Sequence, residues 1–311
     1  MSTADVYARF AAREARGASP AYERLARAVS RDHALLALLD ALPPAKRQPN
    51  LLFGVVRLLG GPVDDPAAFH DHVVANWPAI EAQIRGRATQ TNEAGRCAVL
   101  LPVLASLPQP LALLEVGASA GLCLYPDRYA YRYGDHLLGD GAPVLDCTLT
   151  GTSPPDRLPE VVWRAGLDLN PLDVTDADDY AWLDALIWPE HTHRRERLCA
   201  AATVAAADPP LLVRGDLATD LPALAAQAPP DATLVVFHTS VLYLVPLPGR
   251  AAFVEVVRAL PGHWIANEDP RVLPYEALPE PPAGAFHNVL GLDGTPLAWT
   301  WGHGQAITWF G

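Results

Sequence analysis

The chain has 311 residues, of which half are hydrophobic, and a formal net charge of −12 with a pI near 5.2. This size and apolar content predict two domains with a substantial core. The acidic balance argues against a nucleic acid partner and against an anionic membrane surface, because both need clustered lysine and arginine. No apolar run approaches the roughly 20 residues that cross a bilayer, and four widely spaced cysteines follow no secretory leader, so we expect a cytoplasmic protein with reduced thiols.

The first 107 residues show helical spacing of apolar side chains and no strand pattern. Ser19 followed by Pro20 is typical of a helix N-cap and first helical position. Further helices are predicted over Leu51–Leu59, where Gly60-Gly61 ends the helix, over Pro66–Ile84 and over Glu93–Leu107. The pattern therefore predicts an N-terminal all-α domain, a helical cap, over residues 1–107.

After Pro110 short apolar runs alternate with helical stretches, which is typical of strands buried on both faces of a parallel sheet. The runs are Leu111–Val116, Val161–Leu167, Leu211–Val213, Thr233–Phe237 and Trp264–Ala266. Antiparallel strands are predicted at the end of the chain over Phe286–Leu292, Leu297–Trp301 and Gln305–Phe310, the first two joined by an Asp293-Gly294 turn. Residues 108–311 are thus predicted to form an α/β domain with a Rossmann-like, doubly wound, mostly parallel sheet.

One segment of this second domain has a different period. Tyr129–Tyr133 and Val144–Thr150 alternate with period two, which predicts an inserted hairpin at about residues 127–150. The insertion leaves two candidates for the acidic residue that ends the second strand, Asp168 and Asp146. We favour Asp168, because Val161–Leu167 has the composition of a core strand.

The most informative motif runs from Glu115 to Gly121, where the first strand enters a turn of small residues that we expect to open a helix and to leave its N–H groups bare. Two chemistries fit these letters: a nucleotide-type loop, and a Gly-x-Ser-x-Gly elbow with Ser119 as nucleophile. The chain order favours the loop, because the strand before Gly117 is the first of its domain and no glycine-rich oxyanion loop precedes it. A dinucleotide is less favoured, because Glu115 would lie beside the diphosphate and no third glycine follows.

Polar residues follow each predicted parallel strand, at the edge where ligands of open α/β sheets bind. In chain order these strand ends are Glu115, Asp168, Asp216, His238-Thr239-Ser240 and Asn267-Glu268-Asp269. Successive carboxylates suit a ligand with hydroxyls, an amino group and a positive charge. S-adenosylmethionine has all three features.

The segment Glu115-Val-Gly117-Ala-Ser119-Ala-Gly121 resembles the cofactor motif of class I S-adenosylmethionine-dependent methyltransferases, as do Val241-Leu-Tyr-Leu-Val and His263-Trp-Ile-Ala-Asn, and the likeness covers residues 111–311. The whole chain, including Gln90–Arg96, resembles a bacterial family known as domain of unknown function 2332. The methyltransferase resemblance implies that Gly117, Ser119 and Gly121 line the methionine and ribose side of the cofactor. It also implies that Glu115 lies near the amino end, that Asp168 binds the ribose hydroxyls and that Asp216 faces the adenine amino group.

Other candidates are predicted at the mouth of this site. Arg96 would bind the methionine carboxylate through its planar fork while Asn92 and Glu93 face the acceptor. The alternative is a helix N-cap at Asn92 with an ion pair between Glu93 and Arg96. Tyr131 of the insertion is a further candidate for contact with the acceptor.

His238 and Glu268 are the candidate catalytic residues, because a base at the end of the fourth strand could accept the proton of the attacking atom. The alternative for His238 is a hydrogen-bonded core histidine. No set of side chains has the spacing of a metal site, so none is predicted.

The sequence thus predicts an S-adenosylmethionine-dependent methyltransferase that acts on a small-molecule acceptor. Two alternatives stay open. One is a non-catalytic descendant of the fold that binds a nucleoside-like ligand or a protein, and the other is a serine hydrolase that uses Ser119.

Overall fold

The structure is a computed structural model that describes residues 1–283 and 287–310. The chain divides into two compact units, Met1–Thr91 with Thr175–Glu196, and Asn92–Val174 with Arg197–Gly311. These bounds differ from the predicted boundary at residue 107, because the helical unit ends earlier and also includes a later segment of the chain. Its role as a cap stays a prediction.

Every element described in the first unit is helical. Its helices are α1 (Thr3–Phe10), α2 (Pro20–Val29), α3 (His33–Asp40), α4 (Pro49–Leu58), α5 (Pro66–Ala75), α6 (Trp77–Gly86) and, after the second unit's first strands, α8 (Ala177–Leu186). Ser19 caps α2 as predicted, since its hydroxyl accepts from Tyr22 N. The prediction of one helix over 66–84 is wrong, because the chain breaks at Asn76 and Pro78, which lacks an N–H, can only begin a new helix.

The segment 175–196 joins this unit through contacts that no local pattern reveals. The Trp182 ring lies against Gly54 of α4, where an added Cβ would come within 3.3 Å of the ring. The Trp182 indole donates to Ala88 O at 3.1 Å, and Arg57 donates to Ala185 O at 3.0 Å. Only a residue without a side chain allows α4 and α8 to approach this closely.

Within the described residues of the second unit, nine strands form one mixed, mostly parallel sheet. They are β1 (Leu111–Val116), β5 (Thr148–Thr150), β6 (Val161–Asp168), β7 (Leu211–Arg214), β8 (Thr233–Thr239), β9 (His263–Glu268), β10 (His287–Leu292), β11 (Thr295–Trp301) and β12 (Ala306–Trp309). Their order is β5-β12-β11-β10-β9-β8-β1-β6-β7, and the five strands from β9 to β7 are mutually parallel.

The predicted strands agree with these bounds to within two residues, apart from Phe286, which lies outside the described residues. Strands β9 to β12 pair antiparallel. Asp293 and Gly294 between β10 and β11 both have positive φ, of 53° and 86°. This is the conformation that a two-residue hairpin turn requires, so the prediction of an Asp-Gly turn is confirmed.

The connection from β1 to β6 contains no α-helix, so the prediction that the glycine turn opens a helix is wrong. A single 3-10 turn over Leu122–Leu124 follows Gly121. Pro126 comes two residues later, and a proline disfavours helical conformation in the residue before it and removes an N–H from the helix. The glycine turn is therefore not followed by an α-helix whose dipole would point at it.

A small three-stranded sheet takes the place of that helix. It contains β2 (Ala130–Tyr133), β3 (His136–Leu138) and β4 (Val144–Asp146) in the order β3-β2-β4. The hairpin is formed by β2 and β3, whereas β4 lies parallel to β2. The predicted pairing of 129–133 with 144–150 as a hairpin is therefore corrected, and 148–150 joins the large sheet beside β12.

The remaining helices are α7 (Cys97–Ser106), α9 (Thr192–Ala207), which starts in the first unit, α10 (Leu221–Ala225) and α11 (Leu247–Ala259). Leu114 and Val116 of β1 join the apolar cluster that also contains residues of α10 and α11, so Glu115 between them points to the opposite face. In the part of the chain that the structure describes, no helix combines the length and the apolar character needed to cross a membrane.

Candidate functional site

The carboxyl ends of the parallel strands lie at one edge of the sheet, and the chain reverses its direction of travel between β1 and β8. From β1 it adds β6 and β7 on one side, then returns to add β8 and β9 on the other. Ligands of open α/β sheets bind outside such a reversal. Glu115, Gly117 and Ser119 of β1 and its turn lie at this position.

The turn after β1 holds three residues in the left-handed region. Gly117, Ser119 and Gly121 have φ of 71°, 51° and 69°. A Cβ on Gly117 would collide with Val241, the residue that follows β8 by two positions, and one on Gly121 would lie 3.1 Å from Leu124 Cδ1. Both glycines are therefore required by close packing, while Ser119 holds a conformation that costs a side chain about 1 kcal/mol.

The expectation of bare N–H groups in this turn is wrong for five of its six N–H groups. Those of Gly117 and Ala118 donate to Leu167 O, that of Ser119 to Asp168 Oδ2, that of Gly121 to Ala118 O and that of Leu122 to Asn92 Oδ1. The turn is thus fixed by its own backbone and its neighbours. What it offers to a ligand is mainly side chains.

Asp168 is held at the end of β6, beside the turn. Its Oδ2 accepts from Ser119 N and its Oδ1 from Asn170 N, both at 2.7 Å. A carboxylate has about four lone-pair positions, so each oxygen retains capacity for one more donor. Asp146 is the last residue of β4 in the small sheet and pairs with Arg132 at 3.1 Å, so Asp168 is the residue that ends the strand next to β1.

Glu115 is a buried carboxyl, 4% exposed, whose Oε2 has no hydrogen-bond partner among the described residues. Burial raises the pKa of this carboxyl well above its usual range, the Cys123 side chain and the Asp168 carboxylate add to the rise, and the Arg96 guanidinium opposes it. Arg96 nevertheless directs its hydrogen bonds elsewhere, to Thr239 O at 2.8 Å and Gly302 O at 3.0 Å. A buried carboxylate without a paired cation is expensive unless a ligand supplies the charge.

The raised pKa of the buried Glu115 carboxyl predicts how the stability of the protein depends on pH. A carboxyl whose pKa is raised on folding contributes stability below about pH 4.5, its usual pKa, and loses that contribution as the pH rises through the folded pKa. Glu115→Gln should therefore be more stable than the wild type, by a margin that grows with pH. Urea unfolding between about pH 5 and pH 8 measures the margin, with Asp146→Asn as the exposed control. A margin that is constant or shrinks over this range would contradict the prediction.

Asn92 and Glu93 brace the turn. Asn92 Nδ2 donates to Ala118 O at 3.3 Å and its Oδ1 accepts from Leu122 N at 3.2 Å. Glu93, rather than Asn92, caps the following 3-10 turn, and its carboxylate pairs with Arg197 at 2.8 Å instead of with Arg96. The alternative of a cap at Asn92 with a Glu93–Arg96 pair is therefore wrong, and the predicted contact of Asn92 and Glu93 with an acceptor stays a prediction.

His238 and Glu268 form a buried hydrogen-bonded pair through Glu268 Oε1, while Glu268 Oε2 has no partner among the described residues. His238 Nδ1 lies 2.7 Å from Glu268 Oε1, and His238 Nε2 accepts from the Trp264 indole at 2.9 Å. The hydrogen-bond network therefore assigns the proton to Nδ1 and leaves Nε2 no free lone pair. Both side chains are fully buried. This geometry favours a core histidine over a base that contacts substrate.

Two other candidates make local hydrogen bonds within the protein. Asp216 is exposed, and its Oδ1 accepts from Ala218 N at 2.8 Å and from Thr219 N at 3.2 Å. Tyr131 is fully buried and its hydroxyl donates to Pro126 O at 2.7 Å. Each of these contacts stabilises a local turn, and any contact with adenine or with an acceptor stays a prediction.

Ser119 lacks the partner that a nucleophilic serine needs. Its Oγ is buried and makes no hydrogen bond with the residues that the structure describes. A hydrolase elbow places the serine before a helix and within hydrogen-bond reach of a histidine. Neither the helix nor such a contact is found among the described residues, so the arrangement disfavours acyl transfer at Ser119.

Asn267 was predicted at a strand end but was given no role, and it lies next to the last residue of β9. It is fully buried, its Oδ1 accepts from Thr300 Oγ1 at 2.6 Å, and its Nδ2 has no partner among the described residues. Together with Glu115 Oε2, Ser119 Oγ and Glu268 Oε2 it gives four buried, unsatisfied polar atoms at strand ends on this edge, within the described residues. Native proteins contain few such atoms, and each asks for a ligand or an ordered water. The sequence signal that could have identified Asn267 as a site residue was its position at the end of a strand.

No group of three or more His, Cys, Asp or Glu suited to a metal occurs within residues 1–283 and 287–310. A cavity of about 610 Å³ lies elsewhere in the second unit, between α7 and the antiparallel strands, and its lining includes Val103, Leu297 and Trp309. The strand-end residues do not contribute to its lining.

A family model described as an uncharacterized protein conserved in bacteria (DUF2332) matches residues 4–309. The chain belongs to this family. No curated protein and no solved structure matches it. The family supplies no activity, so the chemistry must be argued from the strand ends.

Proposed function

We propose that the chain binds S-adenosylmethionine at the carboxyl ends of β1 and β6 and transfers the methyl group to a small-molecule acceptor. The observation that carries this proposal is Glu115, a buried carboxyl with an unpartnered oxygen beside the glycine turn. The ammonium group of the methionine part would satisfy it. Arg96 Nη2, which bonds no residue in the described ranges, would bind the carboxylate of the same part.

The strand order supports a nucleoside site. Strands β7-β6-β1-β8-β9 are parallel, and their order equals the 3-2-1-4-5 order of doubly wound nucleotide-binding sheets. This supports a Rossmann-like arrangement with the ligand at the reversal between β1 and β8. Asp168, held at the end of the neighbouring strand by two backbone N–H groups, would accept the ribose hydroxyls.

The electrostatics favour this cofactor over a dinucleotide. Diphosphates bind at helix N-termini, where free N–H groups and the helix dipole supply positive potential. Here a 3-10 turn replaces the helix, five of the six N–H groups of the turn are paired and two carboxyls lie beside it. A ligand with a cationic sulfonium and an ammonium group suits these surroundings better than one with two phosphates.

Methyl transfer needs little chemistry from the protein, because an in-line displacement at a sulfonium is accelerated mainly by holding donor and acceptor in line. A covalent intermediate on Ser119 is not required. Both ring nitrogens of His238 are hydrogen-bonded within the protein, so this residue offers no free base. This observation favours a second candidate function. That candidate is a protein that binds a nucleoside-like ligand without turnover.

Isothermal titration calorimetry with S-adenosylmethionine and S-adenosylhomocysteine tests the proposal. We expect binding to the wild type, at least tenfold weaker binding to Glu115→Gln and to Asp168→Asn, and unchanged binding to the exposed control Asp146→Asn. Because the ligand's ammonium would displace the proton of Glu115, the wild-type heat should also depend on the ionisation enthalpy of the buffer. Absence of heat at millimolar ligand, or equal affinity in all variants, would sink the proposal.

A further inference from the structure

The chain immediately after β8 presents an uncharged, apolar surface to solvent. We name residues Tyr243–Pro248 the rim segment. Leu244 and Leu247 are 67% and 74% exposed, and Tyr243 is 56% exposed. From Val241 to Gly249 the sequence contains no charged residue. Single exposed apolar side chains are common, but a run of them is not.

The rim segment is held in place rather than loose. Val241 N and Leu242 N donate to the buried Glu268 carboxylate at 2.8 and 3.1 Å, and Leu242 is itself fully buried. At the other end Arg250 donates to Val245 O at 2.7 Å and to Tyr243 O at 3.1 Å. The nearest cation is thus bound to backbone carbonyls, and the exposed leucines are presented at fixed positions.

The rim segment is continuous with the proposed cofactor site. It follows Val241, whose side chain packs against Gly117 so closely that no Cβ fits there. It therefore starts at the glycine turn, at the reversal between β1 and β8. An acceptor in line with the cofactor must lie near this turn, so a fixed apolar surface beside it is in reach of the acceptor.

The area of the exposed surface indicates what kind of molecule can cover it. Aromatic side chains each bury roughly 150–250 Å² when covered and leucine is smaller, so three side chains that are about two-thirds exposed offer at most about 500 Å². A stable interface between two copies of the chain needs about 800 Å² on each partner, and this patch is well below that value. The body of one small molecule matches it.

We infer that the rim segment binds the apolar body of the methyl acceptor, so that the acceptor is a small, uncharged, hydrophobic molecule. This inference rests on the proposed function, whose site it extends. Metabolites that carry a phosphate or several charges would gain nothing from a surface without charged side chains, and desolvating them against leucine is unfavourable.

The test uses N-phenyl-1-naphthylamine, a neutral apolar fluorophore, with the full chain. We expect its fluorescence to rise on binding to the wild type and its dissociation constant to increase about tenfold or more in Leu244→Ser/Leu247→Ser. The matched control is Leu137→Ser/Val162→Ser, which removes two apolar side chains that are 57% and 50% exposed elsewhere in the same unit, and it should bind like the wild type.

Equal binding of the probe to the rim and control variants would overturn the inference. A concentration-dependent wild-type dimer in light scattering that the rim variant abolishes would overturn it too, by assigning the surface to a second copy. S-adenosylhomocysteine calorimetry on the same variants separates the two proposals. The rim variant should keep cofactor affinity, whereas failure of the wild type to bind the cofactor would refute the proposed function whatever the probe does.

Discussion

Glu268→Leu should lower the free energy of unfolding by about 4 kcal/mol, the order expected when a buried, charged acceptor is removed from its donors. Glu268 Oε1 accepts from His238 Nδ1, Val241 N and Leu242 N at 2.7, 2.8 and 3.1 Å, and the side chain is fully buried. Leucine fills the volume but leaves all three donors without an acceptor. The loss is measured from urea unfolding midpoints at constant slope.

Two variants separate the hydrogen bonds from side-chain volume. Glu268→Gln keeps an acceptor oxygen and should lose only about 1–2 kcal/mol. Glu255→Leu, on the exposed face of α11, should change stability by less than about 0.5 kcal/mol. A Glu268→Leu protein as stable as the wild type would show that the network contributes nothing. ¹⁵N shifts of His238 typical of protonation at Nε2 would contradict the assigned tautomer.

Asp127→Ala should lower the free energy of unfolding by about 3 kcal/mol, because it leaves the buried guanidinium of Arg164 with the largely exposed Asp208, 3.8 Å away, in place of its buried partner. Arg164 on β6 is 7% exposed, donates to both Asp127 oxygens at 2.9 and 2.6 Å, and also donates to Leu124 O at 2.8 Å. Its guanidinium lies 5.0 Å from the centre of the Tyr125 ring. These contacts fasten the start of the insertion to the central sheet. Urea unfolding measures the loss.

The matched comparison is Asp146→Ala, which breaks a surface pair with Arg132 and should cost no more than about 1 kcal/mol. The double variant Asp127→Ala/Arg164→Leu should recover part of the loss of Asp127→Ala, because removal of both charges leaves none buried alone. Equal costs for the buried and the surface pair would show that solvent screens both alike. The Asp127–Arg164 ion pair would then not hold the insertion against the central sheet.

The central strands β1 and β8 were predictable because they are buried on both faces and are therefore largely continuous apolar runs. Leu111–Val116 was predicted to the residue, and the Asp293-Gly294 turn follows from the positive φ that a two-residue hairpin requires. Local chemistry also predicts the Ser19 cap. In these places the nearest neighbours in sequence determine the conformation.

The errors have two sources, one local and one distant. The 3-10 turn after Gly121 is followed within two residues by Pro126, a local signal against a helix. Membership of 175–196 in the helical unit depends on Trp182 meeting Gly54, which are far apart in the chain. No periodicity carries such information.

The candidate site divides in the same way. The positions of Glu115 and Asp168 at one edge follow from strand ends alone. Their partners do not, because Glu93 pairs with a residue 104 positions away and His238 with Glu268 30 positions away. A sequence pattern shows which side chains reach an edge of the sheet, but not which of them are already satisfied by hydrogen bonds within the protein.

The pairing of β5 with β12 has a consequence for synthesis. Thr150 and Thr308 meet across that pair at a separation of 158 positions, and β5 has no other neighbour in the sheet. During synthesis β5 leaves the ribosome long before β12. Its backbone donors and acceptors therefore stay hydrogen-bonded to water until β12 has been made. Such non-local closure slows folding and leaves nascent chains prone to associate. A chain that ends after Trp301 lacks β12, so we expect β5 to keep its backbone groups exposed to solvent.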